Sequence, residues 1–231
     1  MQKILIINSK GGCGKTTLAT NLAAYYAKSG LSVALMDHDP QGSSTRWLCE
    51  RPSSRYAIHG IDATRRMRNN VTSSFALRTP PDTDILIMDA PAGVAEHKLI
   101  ELIRQVDTIL IPVLPSPIDI HAATRFIEEL LLVGKVRQLG IRVGVVANRV
   151  REGTRIYKAL ERFLTTLRLP IVGTLRDTQN YIYAATLGMG IHEIQDRPTA
   201  SVDVAQWTPV VNWINSAARG LPVSIAQAAN H

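Results

Sequence analysis

The sequence predicts an α/β fold: a doubly wound, mostly parallel sheet with helices on both faces. Short runs of apolar, β-branched residues alternate along the chain with longer segments that have helical spacing, and this alternation is typical of such sheets. The apolar runs are continuous, as expected for parallel strands that are buried on both sides. Of the 231 residues, 45% are hydrophobic and 19% are charged, so the chain can bury a substantial core.

The first unit of this pattern lies at the N-terminus. We expect a buried strand at Lys3–Asn8 and a glycine-rich loop after it. A helix at Leu18–Gly30, ending on its glycine, and a second strand at Leu31–Asp37 complete the unit. Strand, loop, helix and strand together predict a right-handed βαβ crossover.

The pattern repeats along the rest of the chain. Further strands are predicted at Asp84–Pro91, Asp107–Val113, Arg142–Arg149 and Ile171–Leu175. Further helices are predicted at Glu96–Gln105, Ile120–Leu139, Arg155–Arg168, Gln179–Leu187 and Val202–Ala218. Arg51–Pro81 is polar and is expected to be irregular, and nothing marks a linker between domains. We therefore expect one domain at residues 1–220 and a short C-terminal tail at 221–231.

A glycine-rich segment, SKGGCGKTT at Ser9–Thr17, follows the first strand. It nearly matches the phosphate-binding loop G-x-x-x-x-G-K-[ST], with Ser9 in place of the first glycine and a second lysine, Lys10, beside it. Glycines allow backbone N–H groups to approach a phosphate, and the next helix directs its positive dipole end at the same anion. The segment predicts a nucleotide site, with Lys15 at the β- and γ-phosphates and the Thr16 hydroxyl on Mg²⁺.

Acidic residues follow two other predicted strands. Asp37 and Asp39 end the second strand in MDHDPQGSS, and Asp89 ends a later one in ILIMDAPAG. An aspartate after four apolar strand residues is typical of the Walker B carboxylate near nucleotide-bound magnesium. His38, between two aspartates, suggests a metal ligand, but strand side chains alternate in direction, so we expect it to pack away from the site.

In this order and spacing, KGGCGKTT, DHDPQGSST and ILIMDAPAG resemble the deviant Walker ATPases of the ParA/MinD family. The resemblance extends through Asn148 and continues beyond it as a similarity of layout. It implies ATP and Mg²⁺ as cofactors and a homodimer in the ATP-bound form. Lys10 matches the family's signature lysine, which contacts phosphate bound in the partner subunit. The first glycine of the motif is dispensable in this family, so Ser9 is compatible with it.

The resemblance also implies roles for individual residues. The nucleotide-binding set is Lys10, Gly11, Gly12, Cys13, Gly14, Lys15, Thr16, Thr17 and Asn148. Within that set, Asn148 contacts the adenine edge. The metal set is Thr16, Asp37 and Asp89, with the carboxylates acting through water. The catalytic set is Lys10, Lys15 and Asp39, with Asp39 orienting or activating the attacking water.

Features that the sequence lacks argue against several branches of this family. The tail VSIAQAANH has neither the lysines and bulky apolar residues of a MinD-type membrane helix nor the tyrosine cluster of bacterial tyrosine kinases. Cys13 and Cys49 do not supply the cysteine pairs of iron–sulfur carriers, and they fit a reducing cytoplasm. Because the chain begins at strand one, we expect no helix-turn-helix domain. The short ParA type remains, and Ile111–Arg125 resembles its corresponding stretch.

The basic composition adds an expected partner. A net charge of +7 fits either a polyanion partner or ordinary surface charge. The resemblance favours the first, because short ParA proteins bind double-stranded DNA without sequence preference. Candidate phosphate contacts are Arg149, Arg151, Arg155, Lys158 and Arg176. Arg149 has an alternative position beside the base. The resemblance further implies a ParB-like or adaptor partner, no membrane, and a cytoplasmic, nucleoid-associated location.

Several functions stay open at this point. The first is a slow ATPase, stimulated by partner and DNA, that partitions plasmids or chromosomes over the nucleoid. The same cycle could position a protein cargo such as carboxysomes or chemotaxis clusters. A P-loop small-molecule kinase or synthetase is an alternative of another class, and a nucleotide-gated module with little hydrolysis is a third. Lys10 and the D-x-D-P-Q stretch favour the first over the kinase, and Asp39 argues against the third.

Overall fold

The computed structural model describes residues 1–64, 78–151, 155–167, 169–194 and 196–216. The strands are β1 (Gln2–Ile6), β2 (Val33–Asp37), β3 (His59–Asp62), β4 (Ile85–Asp89), β5 (Thr108–Val113), β6 (Arg142–Val150) and β7 (Ile171–Arg176). The helices are α1 (Lys15–Lys28), α2 (Ser43–Glu50), α3 (Glu96–Ile103), α4 (Pro117–Leu132), α5 (Arg155–Leu167), α6 (Asn180–Thr186), α7 (Ala200–Ala205) and α8 (Thr208–Asn215). A 3₁₀ turn at Ile191–Glu193 lies between α6 and α7.

The strands form one seven-stranded sheet in the order β3-β2-β4-β1-β5-β6-β7, and every strand pair is parallel. The predicted fold class is confirmed, with an entirely parallel sheet among the described residues. Alternate residues of β1 enter different cores: Ile4 and Ile6 pack on the α1 side, and Leu5 packs with α3 and α4. Both faces are therefore covered by helices, which explains why the strand sequences are apolar throughout.

Two elements lie where the sequence analysis predicted none. Helix α2 begins directly after Gly42, whose φ of 64° is left-handed and suits glycine. Strand β3 pairs with β2 at the sheet edge, inside the stretch that was expected to be irregular. That expectation is wrong at His59–Asp62. The first two residues of this short strand, His59 and Gly60, are exposed, so the strand lacks the apolar run by which the others were predicted. Residues 65–77 lie outside the described part.

Two predicted helices differ markedly from the helices in the structure. Helix α4 ends at Leu132 instead of Leu139, because Gly134 follows and Lys135 adopts a left-handed φ of 50°. The predicted last helix is two helices, α7 and α8, with Pro209 in the first turn of α8. Proline lacks the N–H that a continuous helix would require there. Positions 217 and 218, and the predicted tail at 221–231, lie outside the described residues.

The topology brings several strand ends together. β1 is central, with β4 on one side and β5 on the other, and its carboxyl end leads into the glycine-rich loop. The parallel register of β2 and β4 pairs Asp37 with Asp89. In such sheets, ligands bind at the carboxyl ends where the strand order reverses. The phosphate loop, Asp37 and Asp89 therefore lie together at the carboxyl ends of the strands.

Candidate functional site

The loop between β1 and α1 has a glycine-dependent backbone. Gly12 and Gly14 have φ angles of 74° and 97°, and Gly14 is the residue that precedes α1. A Cβ atom at Gly14 would lie 2.1 Å from Nδ2 of Asn148, so a side chain does not fit there. These glycines allow the loop to curve around the N-terminus of α1, where backbone N–H groups and the helix dipole favour an anion.

The two lysines of this loop have different environments. Lys15 is buried, with 7% of its surface exposed, and its Nζ donates to the backbone oxygen of Lys10 at 3.0 Å. The thiol of Cys13 contacts the same oxygen at 3.2 Å, and burial raises the pKa of this thiol. Lys10 itself is exposed. Lys15 is thus held inside the loop, whereas the Lys10 side chain is accessible from outside.

A pair of oxygen-bearing side chains lies beneath the loop. The Thr16 hydroxyl donates to Oδ2 of Asp89 at 2.7 Å, and the fully buried Ser44 hydroxyl donates to the same oxygen at 2.6 Å. Oδ1 of Asp89 is buried and has no hydrogen-bond partner among the described residues. Burial raises the pKa of Asp89 to about 6, against the opposing hydrogen bonds from Ser44 and Thr16. A buried carboxylate oxygen without a partner, next to a hydroxyl, fits a hydrated magnesium ion.

No group of three or more His, Cys, Asp or Glu side chains among the described residues is arranged to hold a metal by itself. This agrees with magnesium chemistry, because Mg²⁺ usually keeps several waters and binds through one or two carboxylates plus substrate phosphates. His38 is half-buried, its Nε2 has no partner in the described structure, and burial lowers the pKa of its imidazole to about 4.

Asp37 has a different environment from Asp89. Its Oδ2 accepts hydrogen bonds from the backbone N–H and the hydroxyl of Thr45, at 2.8 and 3.0 Å, and its Oδ1 accepts from the N–H of Asp39. Thr45 is the third residue of α2, and Gly42 before the helix has no side chain to cap it. The β2 aspartate therefore caps α2 from a distance and fixes the turn that carries Asp39.

Asp39 faces a different cavity from the phosphate loop. Its Oδ1 accepts from the N–H of Gln41 at 2.9 Å, and its carboxylate is half-buried. Together with His38, Asp39 lines a cavity of about 540 Å³ beside residues 91–95 and Lys98. Thr16 is not among the residues that line this cavity.

A larger cavity, of about 670 Å³, extends from Thr16 and Thr17 toward β6 and β7. Asn148 lines it, with its Nδ2 donating to the backbone oxygen of Cys13 at 2.8 Å and its Oδ1 accepting from the N–H of Arg149 at 3.0 Å. Arg149 has a left-handed φ of 51° and also lines the cavity. The far wall is residues 176–179 with Tyr181 and Ile182. The volume lies within the range usual for small-molecule sites.

The predicted DNA-contacting residues fall into two groups. Arg149, Arg151, Arg155 and Lys158 are exposed, and Arg151 makes a solvent-exposed pair with Asp177 at 3.4 Å. Arg176 differs, because its Nε donates to the fully buried Asp203 at 2.5 Å and its terminal nitrogen donates to the Thr199 oxygen. Its guanidinium is paired within the chain and lines the larger cavity, and 35% of its side chain is exposed, so its contact with DNA stays a prediction.

Sequence reasoning did not include several residues of this site. Ser44 and Thr45 are the polar partners of Asp89 and Asp37, and the stretch Gly42-Ser43-Ser44-Thr45 carries the small polar residues typical of a helix start. That signal could have located α2. Asp203 carried no signal of its own, because its partner Arg176 lies 27 residues away.

A glycine-rich phosphate loop between the first strand and first helix of a parallel sheet defines a P-loop nucleotide-binding protein. The chain belongs to the CobQ/CobB/MinD/ParA nucleotide binding domain family, whose model matches residues 4–191. The suspected family is therefore confirmed. Within the described residues, no helix is both long enough and apolar enough to cross a bilayer.

Individual relatives extend this result. The maintenance of carboxysome distribution protein A of Halothiobacillus neapolitanus is 28% identical over 204 residues, 87% of this chain and 91% of that protein. The chromosome-partitioning ATPase Soj of Thermus thermophilus is 54% identical over 48 residues, 21% of this chain and 19% of its own.

Two solved structures share the fold. The MinD cell division protein of Aquifex aeolicus matches 92% of this chain and 98% of its own, with a TM-score of 0.67 and 18% identity. A McdA–ATP complex from Cyanothece matches 91% of this chain and 96% of its own, with a TM-score of 0.67 and 19% identity.

Proposed function

We propose that this chain is an ATPase that dimerises with ATP, binds DNA without sequence preference, and positions a cargo over the nucleoid. The observation that carries the proposal is the Thr16–Asp89 contact beneath a loop that buries Lys15 but leaves Lys10 exposed. The Thr16–Asp89 contact is suited to the magnesium ion of a bound nucleotide. The exposure of Lys10 is suited to a lysine that acts in a partner subunit.

Nucleotide binding is assigned to the loop and its neighbours. The backbone N–H groups of residues 11–14, with Lys15 and Thr17, bind the phosphates, and Asn148 contacts the adenine edge from the larger cavity. Thr16 and Asp89 hold Mg²⁺, which neutralises charge on the β- and γ-phosphate oxygens when bound. Asp37 acts on the metal through water, and its helix-capping contacts support the same site.

Hydrolysis is assigned to Asp39 and to Lys10 of the second subunit. Water attacks the γ-phosphorus, the bond from that phosphorus to the β–γ bridging oxygen breaks, and ADP and phosphate leave. Asp39 orients the water and receives its proton, and the partner's lysine stabilises charge on the transferring group. The exposure of Lys10 supports this division, because an accessible lysine can contact a nucleotide bound in a second subunit.

DNA binding is assigned to the exposed cations that follow β6. Arg155 and Lys158 lie on one face of α5, and Arg162 extends the same face by one further turn. Arg149 and Arg151 precede the helix. Such a stripe contacts DNA phosphates and not base edges, which makes binding dependent on salt and independent of sequence.

The cargo has two alternatives. Similarity over 91% of a carboxysome distribution protein favours a protein cargo held through an adaptor. Plasmid or chromosome partition, with a ParB-like partner, is the alternative that the shorter match to Soj leaves open. Crosslinking of the ATP-bound chain in its native cell, followed by identification of the bound protein, distinguishes an organelle adaptor from a centromere-binding partner.

The proposal is tested by ATP turnover, sedimentation and DNA retention measured on the purified chain. We expect slow release of ADP and phosphate, ATP-dependent dimers, and binding to unrelated duplexes that weakens steeply with salt. A phosphorylated product that forms only with an added small molecule would instead support a kinase or synthetase and overturn the proposal.

A further inference from the structure

One buried carboxylate connects two neighbouring elements at the far wall of the larger cavity. Asp203 on α7 is fully buried. Its Oδ1 accepts from Nε of Arg176, the last residue of β7, at 2.5 Å. Its Oδ2 accepts from Nδ2 of Asn180, the first residue of α6, at 2.6 Å. Asp203 therefore holds both ends of the short segment 177–179.

Other contacts restrain the same segment from behind. The N–H of Arg176 donates to Oε1 of Gln206 at 2.9 Å, and its guanidinium donates to the oxygen of Thr199 at 3.0 Å. The N–H of Asp177 donates to the oxygen of Val150 at 3.2 Å. The segment lines the same cavity as Asn148. Contacts within the chain therefore set the position of this wall.

We propose that Asp203 is a positioning residue for the nucleotide base. It lies behind the wall and acts through Arg176 and Asn180, which set the position of segment 177–179 against the base. This inference rests on the proposed function, because it takes the larger cavity as the ATP site. A wall ordered in advance lowers the entropy cost of binding the base. Without Asp203, the donors of Arg176 and Asn180 would lose their buried acceptor, which would destabilise this wall.

Two variants test this role in the full-length chain. Asp203→Asn keeps the size of the side chain but can no longer accept from both Arg176 and Asn180 without turning an NH₂ group toward a donor. Arg176→Lys keeps the positive charge but loses the second donor that reaches Thr199. Asp196→Asn is the matched control, since Asp196 is exposed and bonds Tyr183 outside the cavity.

The measurement compares the dissociation constants of ATP and of inorganic tripolyphosphate, each with Mg²⁺. Tripolyphosphate contacts the phosphate loop but has no base. We expect both variants to bind ATP about tenfold more weakly and tripolyphosphate as before, with the control unchanged. Unchanged ATP affinity in both variants, or equal weakening for both ligands, would overturn the role of Asp203. An unsubstituted chain that does not bind ATP would instead overturn the proposed function, and this role with it.

Discussion

The Nζ atom of Lys15 lies 3.0 Å from the backbone oxygen of Lys10, so the buried lysine of the loop is anchored on the exposed one. A bound phosphate would replace this contact and release the Lys10 carbonyl. The phosphate loop is therefore closed on itself, and a phosphate that took the Lys15 ammonium would change the contacts of the segment that carries Lys10.

Lys15→Ala removes the ammonium that would face the phosphates. Because a charge-assisted hydrogen bond to phosphate is lost, we expect ATP affinity to fall at least about a hundredfold. Isothermal titration calorimetry measures the effect, with Arg104→Ala as the control, since Arg104 is exposed at the end of α3. Retained ATP affinity in Lys15→Ala would show that the loop is not the phosphate site.

Lys10→Ala separates dimer formation from nucleotide binding. The Lys10 side chain is exposed and its backbone oxygen, which anchors Lys15, is kept in the variant. We expect ATP binding by the monomer to persist and ATP-dependent dimers to be lost, as measured by sedimentation velocity. Dimers of normal stability with slow turnover would assign Lys10 to hydrolysis alone.

Asp39 is tested by two substitutions that differ in hydrogen bonding. Asp39→Asn keeps an oxygen that can accept from the Gln41 N–H, whereas Asp39→Ala removes it. If Asp39 acts on the attacking water, both variants lose about a hundredfold in turnover, keep ATP binding, and stay on DNA as dimers. Normal turnover in Asp39→Asn alone would limit this residue to holding the loop.

The basic face of α5 is tested by replacing Arg155, Lys158 and Arg162 together with alanine. Each lost phosphate contact makes the slope of log affinity against log salt shallower by about 0.9, so we expect a change of roughly two to three. Arg104→Ala is the control, because Arg104 is exposed at the end of α3. An unchanged salt slope would place DNA elsewhere on the surface.

His192 makes the fold sensitive to acid. It is buried beside Tyr25 and Trp207, and burial lowers the pKa of its imidazole from 6.5 to about 4. The unfolded chain therefore binds a proton between pH 6.5 and 4 that the folded chain excludes, so stability falls as pH falls through this window. At pH 5 the loss approaches about 2 kcal/mol.

The measurement for His192 is the free energy of unfolding in urea at pH 7 and pH 5. His192→Gln removes the titrating group and should show a smaller loss over the same interval. An equal loss in the variant would assign the acid sensitivity to other groups.

The sequence alone determined the parallel α/β fold, the phosphate loop and the aspartates at the strand ends. These features are local: continuous apolar runs specify buried strands, and glycines followed by lysine and threonine specify the loop. Thr16 and Asp89 were predicted from such local signals, whereas Asn148 was predicted only from the family resemblance.

The tertiary structure decided which polar side chains meet. Asp37 caps α2, the Ser44 hydroxyl donates to Asp89, and Arg176, a candidate DNA contact in the sequence, donates to Asp203. The Ser44–Asp89 and Arg176–Asp203 pairs join residues that are distant in sequence, and the local pattern of neither residue specifies its partner. A buried polar group must find a partner wherever packing provides one, so these pairings arise only when the helices close over the sheet.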